Sequence, residues 1–471
     1  MTDKTTEKTP RPPARIDKPL LGITGGFILL FCAFALVNID ALSATVDAGF
    51  AVAARYFGLY WQLLLLATFL IGLAMCALPG SRTVMGGLDR PEFPLFSWGA
   101  MIMCTLLAGG GVFWAAGEPI AHFLSLPPTF GDLGGDPQDQ ANAALAQSFL
   151  HWGFLAWAIL GALATPMLMH YHYDRGLPLA PRTLLYPVFG DRAIDGPIGL
   201  IADASCIIAV VAGTVGPIGF LGLQMSYGLN ALTGVPDTFT TQAIAILSLV
   251  GIYTISAITG LARGIQWLSR LNVILAFVLL AFMLIAGPTG AIFSGFFGGM
   301  QVYLTHFFDM ALYRGEANFF GDPGWLGWWT VFFWGWFMGY GPLMAIFIAR
   351  ISRGRSIRQI IVMLSIVAPL LTNFWFTIIG GTGIFFEVSQ PGVISGPFEG
   401  FNLPAGLLAI TQAMPMGLIL SVLFLVLTMV FVATTSDSMS YVISTAMSEG
   451  EPTSGLRAFW GLAMGVMALI L

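Results

Sequence analysis

Charge is what this sequence has least of. Only 9% of its 471 residues are Asp, Glu, Lys or Arg, whereas 57% are hydrophobic. A water-soluble fold cannot cover that much apolar surface, which excludes the soluble classes and indicates a polytopic membrane protein. Cysteine is scarce too. Cys32, Cys76, Cys104 and Cys206 all fall in apolar runs, as small core residues do, rather than forming a disulfide frame. His170 and His172 flank Tyr171 with no cysteine or further acid at ligand spacing, so no metal site is assigned there. There is no Walker loop, nucleophile elbow or HExxH motif, hence no ATPase or soluble-type hydrolase chemistry and no catalytic residue.

What is present is a series of long apolar runs. Residues 1–18 are polar, basic and proline-rich and are expected to form a disordered cytoplasmic tail. The run Leu20–Ile39 has no small-residue cleavage site after it and reads as a signal anchor. Further runs are Leu59–Leu78, Leu95–Gly117, Phe149–Tyr171, Ile198–Leu229, Thr240–Leu261, Trp267–Ala286, Leu326–Ile348, Ile360–Gly380, Met416–Thr445 and Ala458–Leu471. Each has roughly the 20 residues that a bilayer core requires, or more. With the N-terminus in the cytoplasm, alternation leaves only Arg55 and Arg314 of the 19 Lys and Arg outside, which satisfies the positive-inside rule. The chain stops within an apolar run at Ala468–Leu471, so its last spans are expected to be truncated.

Two runs carry interruptions. In WTVFFWGWFMGYGP (Trp329–Pro342), Gly335, Gly339, Gly341 and Pro342 predict a break in the helix. Trp334, Trp336, Phe337 and Tyr340 sit in that stretch, and aromatic faces at a broken helix suit a small cation or zwitterion. The run Leu95–Gly117 contains Gly109, Gly110 and Gly111 and closes on Gly117-Glu118-Pro119. Four spans separate the two, so each can open a five-helix unit with a binding site between the units; the alternative is glycine packing between helices. A third interruption, Gly213–Pro217, is either a packing kink or part of an ion path. The cluster Thr434–Ser438 offers oxygens to a cation such as Na⁺, with Asp437 a functional candidate; alternatively its hydroxyls bond the preceding turn and Asp437 caps a helix. Glu118 and Asp203 are expected at the interface, and His151 towards headgroups or packing. The basic run Arg350, Arg353, Arg355 and Arg358 reads as a gate, an anionic-lipid contact or a positive-inside anchor.

WTVFFWGWFMGYGP followed by ARISRGRSIR (Ala349–Arg358) resembles the signature of the betaine/choline/carnitine transporter family. The likeness extends through VFWAAGEP (Val112–Pro119), HWGFLAWA (His151–Ala158), Gly199–Gln224, RGIQWLS (Arg263–Ser269), GPT (Gly287–Thr289) and VATTSDS (Val432–Ser438), so it covers residues 20–471. The resemblance implies an all-α, LeuT-like fold. Two peripheral transmembrane helices would occupy 19–80, and a first five-helix repeat 95–288. An extracytoplasmic connecting segment would follow at 289–324, then a second, inverted repeat at 325–471. It implies a secondary transporter rather than an enzyme, multi-pass in the bacterial inner membrane and trimeric like many members. Such a protein imports a quaternary-ammonium or related onium osmolyte by Na⁺ symport, with no cofactor beyond Na⁺ as coupling ion. H⁺ symport, Na⁺-independent exchange and a non-onium solute such as taurine remain as alternatives. A membrane sensor or enzyme would need a signalling domain or catalytic cluster that is not visible.

Site residues carry over position by position. Trp152, Trp157 and Trp336 match aromatics of the family's box, Trp114 stands where an aromatic is usual, and Phe332 joins the set. Leu160 replaces a third aromatic in the fourth span, while Phe337 and Tyr340 replace tryptophans in the eighth. The family's Gly-x-Gly-x-Gly maps to Leu106, Ala108 and Gly110, whereas the glycines here are Gly109, Gly110 and Gly111. A box with fewer indoles implies a different or broader ligand than plain glycine betaine, since cation–π attraction is best on Trp. Phe431, Thr434 and Thr435 match the ion-site region of Na⁺-coupled members. Val273 stands where sodium-independent exchangers carry an arginine.

Overall fold

The structure, a computed structural model, describes residues 15–107, 110–131, 133–259, 264–315 and 324–471, the side chains of 106 and 107 excepted. Among the described residues the regular structure is helical apart from one two-stranded ribbon and an isolated bridge between Val84 and Ser356. Asp17 accepts from the Leu20 N–H and Pro19 follows, which starts α1 (Lys18–Val37). Asn38 caps the next helix in the same way, and α2 (Ile39–Ala77) begins well before the apolar run expected from Leu59. At 1.5 Å per residue this helix of 39 residues is about 58 Å long, more than a bilayer core.

The third span is discontinuous at Gly110 (φ −165°, ψ −27°), as its glycines predict, with α3 (Leu95–Leu107) before it and α4 (Gly111–Leu124) after it. Gly109 and Ala108 lie outside the described residues. The fourth span is also broken, which the sequence reading missed. It runs as α5 (Pro137–Trp152), α6 (Phe154–Ile159) and α7 (Ala164–Met169). The first break is at Gly153 (φ −97°, ψ −134°), where a Cβ would run into the Phe149 carbonyl. By contrast α8 (Pro197–Thr233) passes through Gly213–Pro217 unbroken. Then come α9 (Phe239–Thr259), α10 (Gln266–Ala286) and α11 (Thr289–Thr305), the last a helix in the connecting segment that packs along α5.

The eighth span corrects an expectation. Here α12 (Phe332–Ile351) is continuous through Gly335, Gly339, Gly341 and Pro342. Pro342 forfeits the hydrogen bond its missing N–H would make without ending the helix. The glycines admit neighbours instead: a Cβ at Gly335 would meet the Trp61 ring, and one at Gly341 the Ile159 carbonyl. The irregularity of this span lies upstream, in a π turn at Gly327–Val331. Next, α13 (Ile357–Ser389) contains π turns at Met363–Val367 and Thr377–Gly381. The described chain ends with α14 (Leu403–Ala413), α15 (Gly417–Ala446) and α16 (Ser454–Ile470).

The basic run ties several loops together. Arg350 bridges Glu92 (3.0 Å) and Glu451 (3.2 Å). Arg353 lies over the Tyr173 ring at 4.9 Å, and Arg355 over Trp98 at 4.7 Å while donating to the Phe93 carbonyl. Arg358 donates to Ser81 Oγ (3.0 Å). The ribbon pairs Arg15–Ile16 with Ser448–Glu449. Asp203, expected at the interface, is fully buried because Arg182 holds it, together with Asp17.

Candidate functional site

A cavity of about 760 Å³ opens between α4, α8 and α12, with Trp114, Gly213, Phe220, Trp329, Phe332 and Trp336 among its walls. It is almost wholly apolar and aromatic, as pockets for small organic ions are. Two glycines set its inner end. A Cβ on Gly110 would overlap the rings of Trp336 and Trp152, and one on Gly213 would overlap Tyr340 and Trp336. These positions therefore let backbone lie directly against the indole of Trp336.

The predicted aromatics form two sets. In the inner set the Trp152 ring stands perpendicular to Phe337 (5.2 Å) and to Trp336 (6.1 Å), and Trp336 lies 6.2 Å from Tyr340. The Tyr340 hydroxyl is fixed by Thr214 at 2.8 Å. In the outer set Trp114 meets Phe333 (4.9 Å), Trp329 (6.2 Å) and Phe332 (6.5 Å). Trp157 joins neither among the described residues; its indole N–H goes to Thr372 Oγ1 at 2.9 Å. Phe332 is the most exposed of the predicted residues and faces the cavity.

The sequence reading missed the group that holds Trp152. Glu118 and His151 were placed at the interface and towards headgroups or packing, yet both are fully buried. Glu118 Oε2 accepts the Trp152 indole N–H (2.6 Å), and Oε1 meets His151 Nδ1 (2.5 Å). His151 Nε2 lies 2.9 Å from both Gln147 Nε2 and Thr330 Oγ1. The Gln147 amide nitrogen, which faces His151, can only donate, so in this arrangement His151 Nε2 accepts and Nδ1 carries the proton to Glu118. His122, one turn beyond Glu118, approaches the same Oε1 at 3.4 Å. The available signal was the Glu118/His122 spacing, which puts both on one helix face.

The ion-site candidates lie where α15 crosses the end of α3. Thr435 Oγ1 points at the carbonyls of Thr105 (3.3 Å) and Cys104 (3.5 Å), and Thr105 Oγ1 lies 3.1 Å from Ser438 Oγ. Hydroxyl and carbonyl oxygens are the ligands that a hard cation takes in place of its water shell. Thr434 differs: its hydroxyl bonds back to Val430 O (2.8 Å). Phe431 packs on Trp375 (5.9 Å), whose indole reaches the Gly111 carbonyl (3.1 Å). Asp437 neither caps the helix nor faces this cluster of oxygens. It is buried mid-helix, paired with Arg457 (3.1 Å) and hydrogen-bonded by Ser256.

A helical, membrane-spanning chain with a broken span against an aromatic cavity defines the class of a small-solute carrier. The betaine/carnitine/choline transporter family matches residues 19–471, and the chain belongs to that family. Glycine betaine transporter 2 of Vibrio parahaemolyticus serotype O3:K6 (strain RIMD 2210633) is 56% identical over 97% of this chain and 83% of its own length. Glycine betaine transporter OpuD of Bacillus subtilis (strain 168) is 31% identical over 96% of this chain and 86% of its own. The ectoine/hydroxyectoine transporter of Virgibacillus pantothenticus is also 31% identical, over 94% and 88%. Among solved structures, a substrate-bound, outward-open Na⁺-coupled sialic acid symporter is similar at 13% identity and a TM-score of 0.43, over 89% of this chain and 81% of that one.

Proposed function

We propose that this transporter imports glycine betaine, or a solute with a closely similar onium group, by Na⁺ symport across the bacterial inner membrane, with its N-terminus cytoplasmic. The observation that carries the reading is the meeting of Trp152, Trp336 and Phe337 against the backbone of Gly110. Rings at right angles offer π faces to a trimethylammonium group, each worth about 0.5–2 kcal/mol depending on desolvation. The replacement of tryptophans by Phe337 and Tyr340 does not remove these faces, and the relative at 56% identity is a glycine betaine transporter.

Na⁺ coupling rests on the oxygens of Thr435, Cys104 and Thr105 around the break between α3 and α4. A cation there would hold the two halves of the third span, and hence Gly110, in one geometry. In this reading the family's two inverted repeats rock against each other about the site, in an assembly of three copies. The Arg350 bridge to Glu92 and Glu451 then closes the cytoplasmic side.

The test is uptake into proteoliposomes of glycine betaine, choline, carnitine, dimethylsulfoniopropionate, ectoine and taurine, each with an inward Na⁺ gradient or with K⁺ in its place. Onium uptake that requires Na⁺ supports the proposal. Uptake indifferent to Na⁺ moves the coupling to H⁺ or exchange, and transport of ectoine or taurine alone overturns the onium assignment.

A further inference from the structure

The cluster behind Trp152 contains more donor atoms than an anchor for one indole requires. Glu118, His122 and His151 each present a ligand atom, and these atoms lie within 4.8 Å of one another. All three side chains are at most 1% exposed. Two buried atoms nearby have no hydrogen-bond partner. One is His122 Nε2, directed at Glu118; the other is Gln147 Oε1, on the amide beside His151. A buried polar atom without a partner is costly and calls for a physical account.

We propose that Glu118, His122 and His151 form a site for a divalent transition-metal ion of the Zn²⁺ class, and that occupancy of this site inhibits transport. Two imidazoles and one carboxylate match the nitrogen and oxygen donors that Zn²⁺ takes, with a fourth position left to water. At Zn–N and Zn–O distances of about 2.0–2.1 Å, tetrahedral ligand atoms stand roughly 3.3 Å apart. His122 Nε2 and Glu118 Oε1 are already 3.4 Å apart. Tetrahedral coordination would require the His151 Nδ1–Glu118 Oε1 pair to open from 2.5 Å to that distance, by rotation of the ring and of the carboxylate.

One binding event satisfies both unpartnered atoms. The ion takes the lone pair of His122 Nε2 and displaces the proton from His151 Nδ1. His151 then carries its proton on Nε2, where it needs acceptors. Thr330 Oγ1 is in place, and a turn of the Gln147 amide brings its unpartnered Oε1 there. Hydrogen bonds to the far nitrogen of a ligating histidine are the usual support of such sites. Trp329, whose ring packs on His122 at 4.4 Å and also walls the open cavity, separates the cluster from that cavity, so displacement of this one ring would admit the ion. Inhibition follows from the other carboxylate oxygen. Glu118 Oε2 holds Trp152, so a metal on Oε1 fixes α4, α5 and the box in one arrangement when the transport cycle needs them to move.

Zn²⁺ binding to the full-length purified protein, measured with ⁶⁵Zn by equilibrium dialysis, tests the site. Wild type should bind one more ion per chain than His122→Ala, and His122→Cys, which supplies a thiolate ligand, should recover it. In proteoliposomes external Zn²⁺ should slow wild-type uptake at least tenfold and leave His122→Ala uptake nearly unchanged. The transport arm depends on the uptake proposed above; the binding arm does not. Equal Zn²⁺ stoichiometry in wild type and His122→Ala overturns the site. So does a variant that differs from wild type only in the pH profile of uptake, which would make the cluster a proton site.

Discussion

Trp152 donates its indole hydrogen to Glu118 across the α4–α5 junction, so a box tryptophan of the fourth span is positioned by a carboxylate of the third. Under the proposed function Glu118 acts as a positioning residue for the pocket. A hydrogen bond to a charged group contributes about 1.5–3 kcal/mol, and its loss frees the ring to leave the box. Glu118→Ala should raise KM for the onium substrate at least tenfold, with Glu118→Gln, which keeps an oxygen for the indole, in between. Equal KM for Ala, Gln and wild type would show that the contact positions nothing.

Trp336 should be the most sensitive aromatic, because it joins the inner rings to the open cavity and meets two backbone segments. Trp336→Ala should cut uptake strongly while the protein still elutes as a folded species, and Trp336→Phe should retain part of it. If Trp336→Ala transports normally, the residue is not in the site.

Gly213 tests close approach without replacing an aromatic side chain. An alanine methyl would fall within contact distance of Trp336 and Tyr340, and overpacking of this kind costs typically about 1–3 kcal/mol. Gly213→Ala should reduce uptake by driving Trp336 into the cavity; Gly219→Ala, further along the same helix with open space around its Cβ and outside the cavity wall, should not. Similar losses in both variants would point to a general effect on α8.

For the coupling ion, Thr435 and Thr434 should separate. Thr435 points at the α3 carbonyls whereas Thr434 bonds its own helix. Thr435→Ala should raise the Na⁺ concentration for half-maximal uptake well above the effect of Thr434→Ala. A Na⁺ response left flat by both substitutions would remove this region from the ion site.

Hydropathy made the spans legible because a bilayer demands length and apolarity, which a sequence displays directly. The breaks were less legible, because a glycine marks either a break or a close neighbour and only the neighbour distinguishes them. Gly110 marks a break, whereas Gly335 and Gly341 receive Trp61 and the Ile159 carbonyl within an intact helix. Gly153 broke the fourth span with no proline or second glycine beside it to announce the break. Glu118 was misplaced for a related reason: its partners, His151 and Trp152, come from another helix, and sequence distance hides them.

Asp437 and Arg457 provide the test of stability. The pair links α15 to α16 in a fully buried setting, with Ser256 of α9 on the second carboxylate oxygen and the Arg457 guanidinium 5.2 Å from the Tyr441 ring centroid. Removing one partner leaves the other charge buried and uncompensated, at a cost of about 3–5 kcal/mol, whereas replacing both with apolar groups of similar size is often neutral. Asp437→Leu and Arg457→Met alone should each lower the melting temperature in detergent sharply, and the double variant should recover most of the loss. The Na⁺ requirement of the folded double variant should match wild type, because the Asp437 carboxylate serves Arg457 rather than the ion. A double variant less stable than either single one would mean that the charges contribute more than their mutual compensation, and a shifted Na⁺ requirement would return Asp437 to the coupling site.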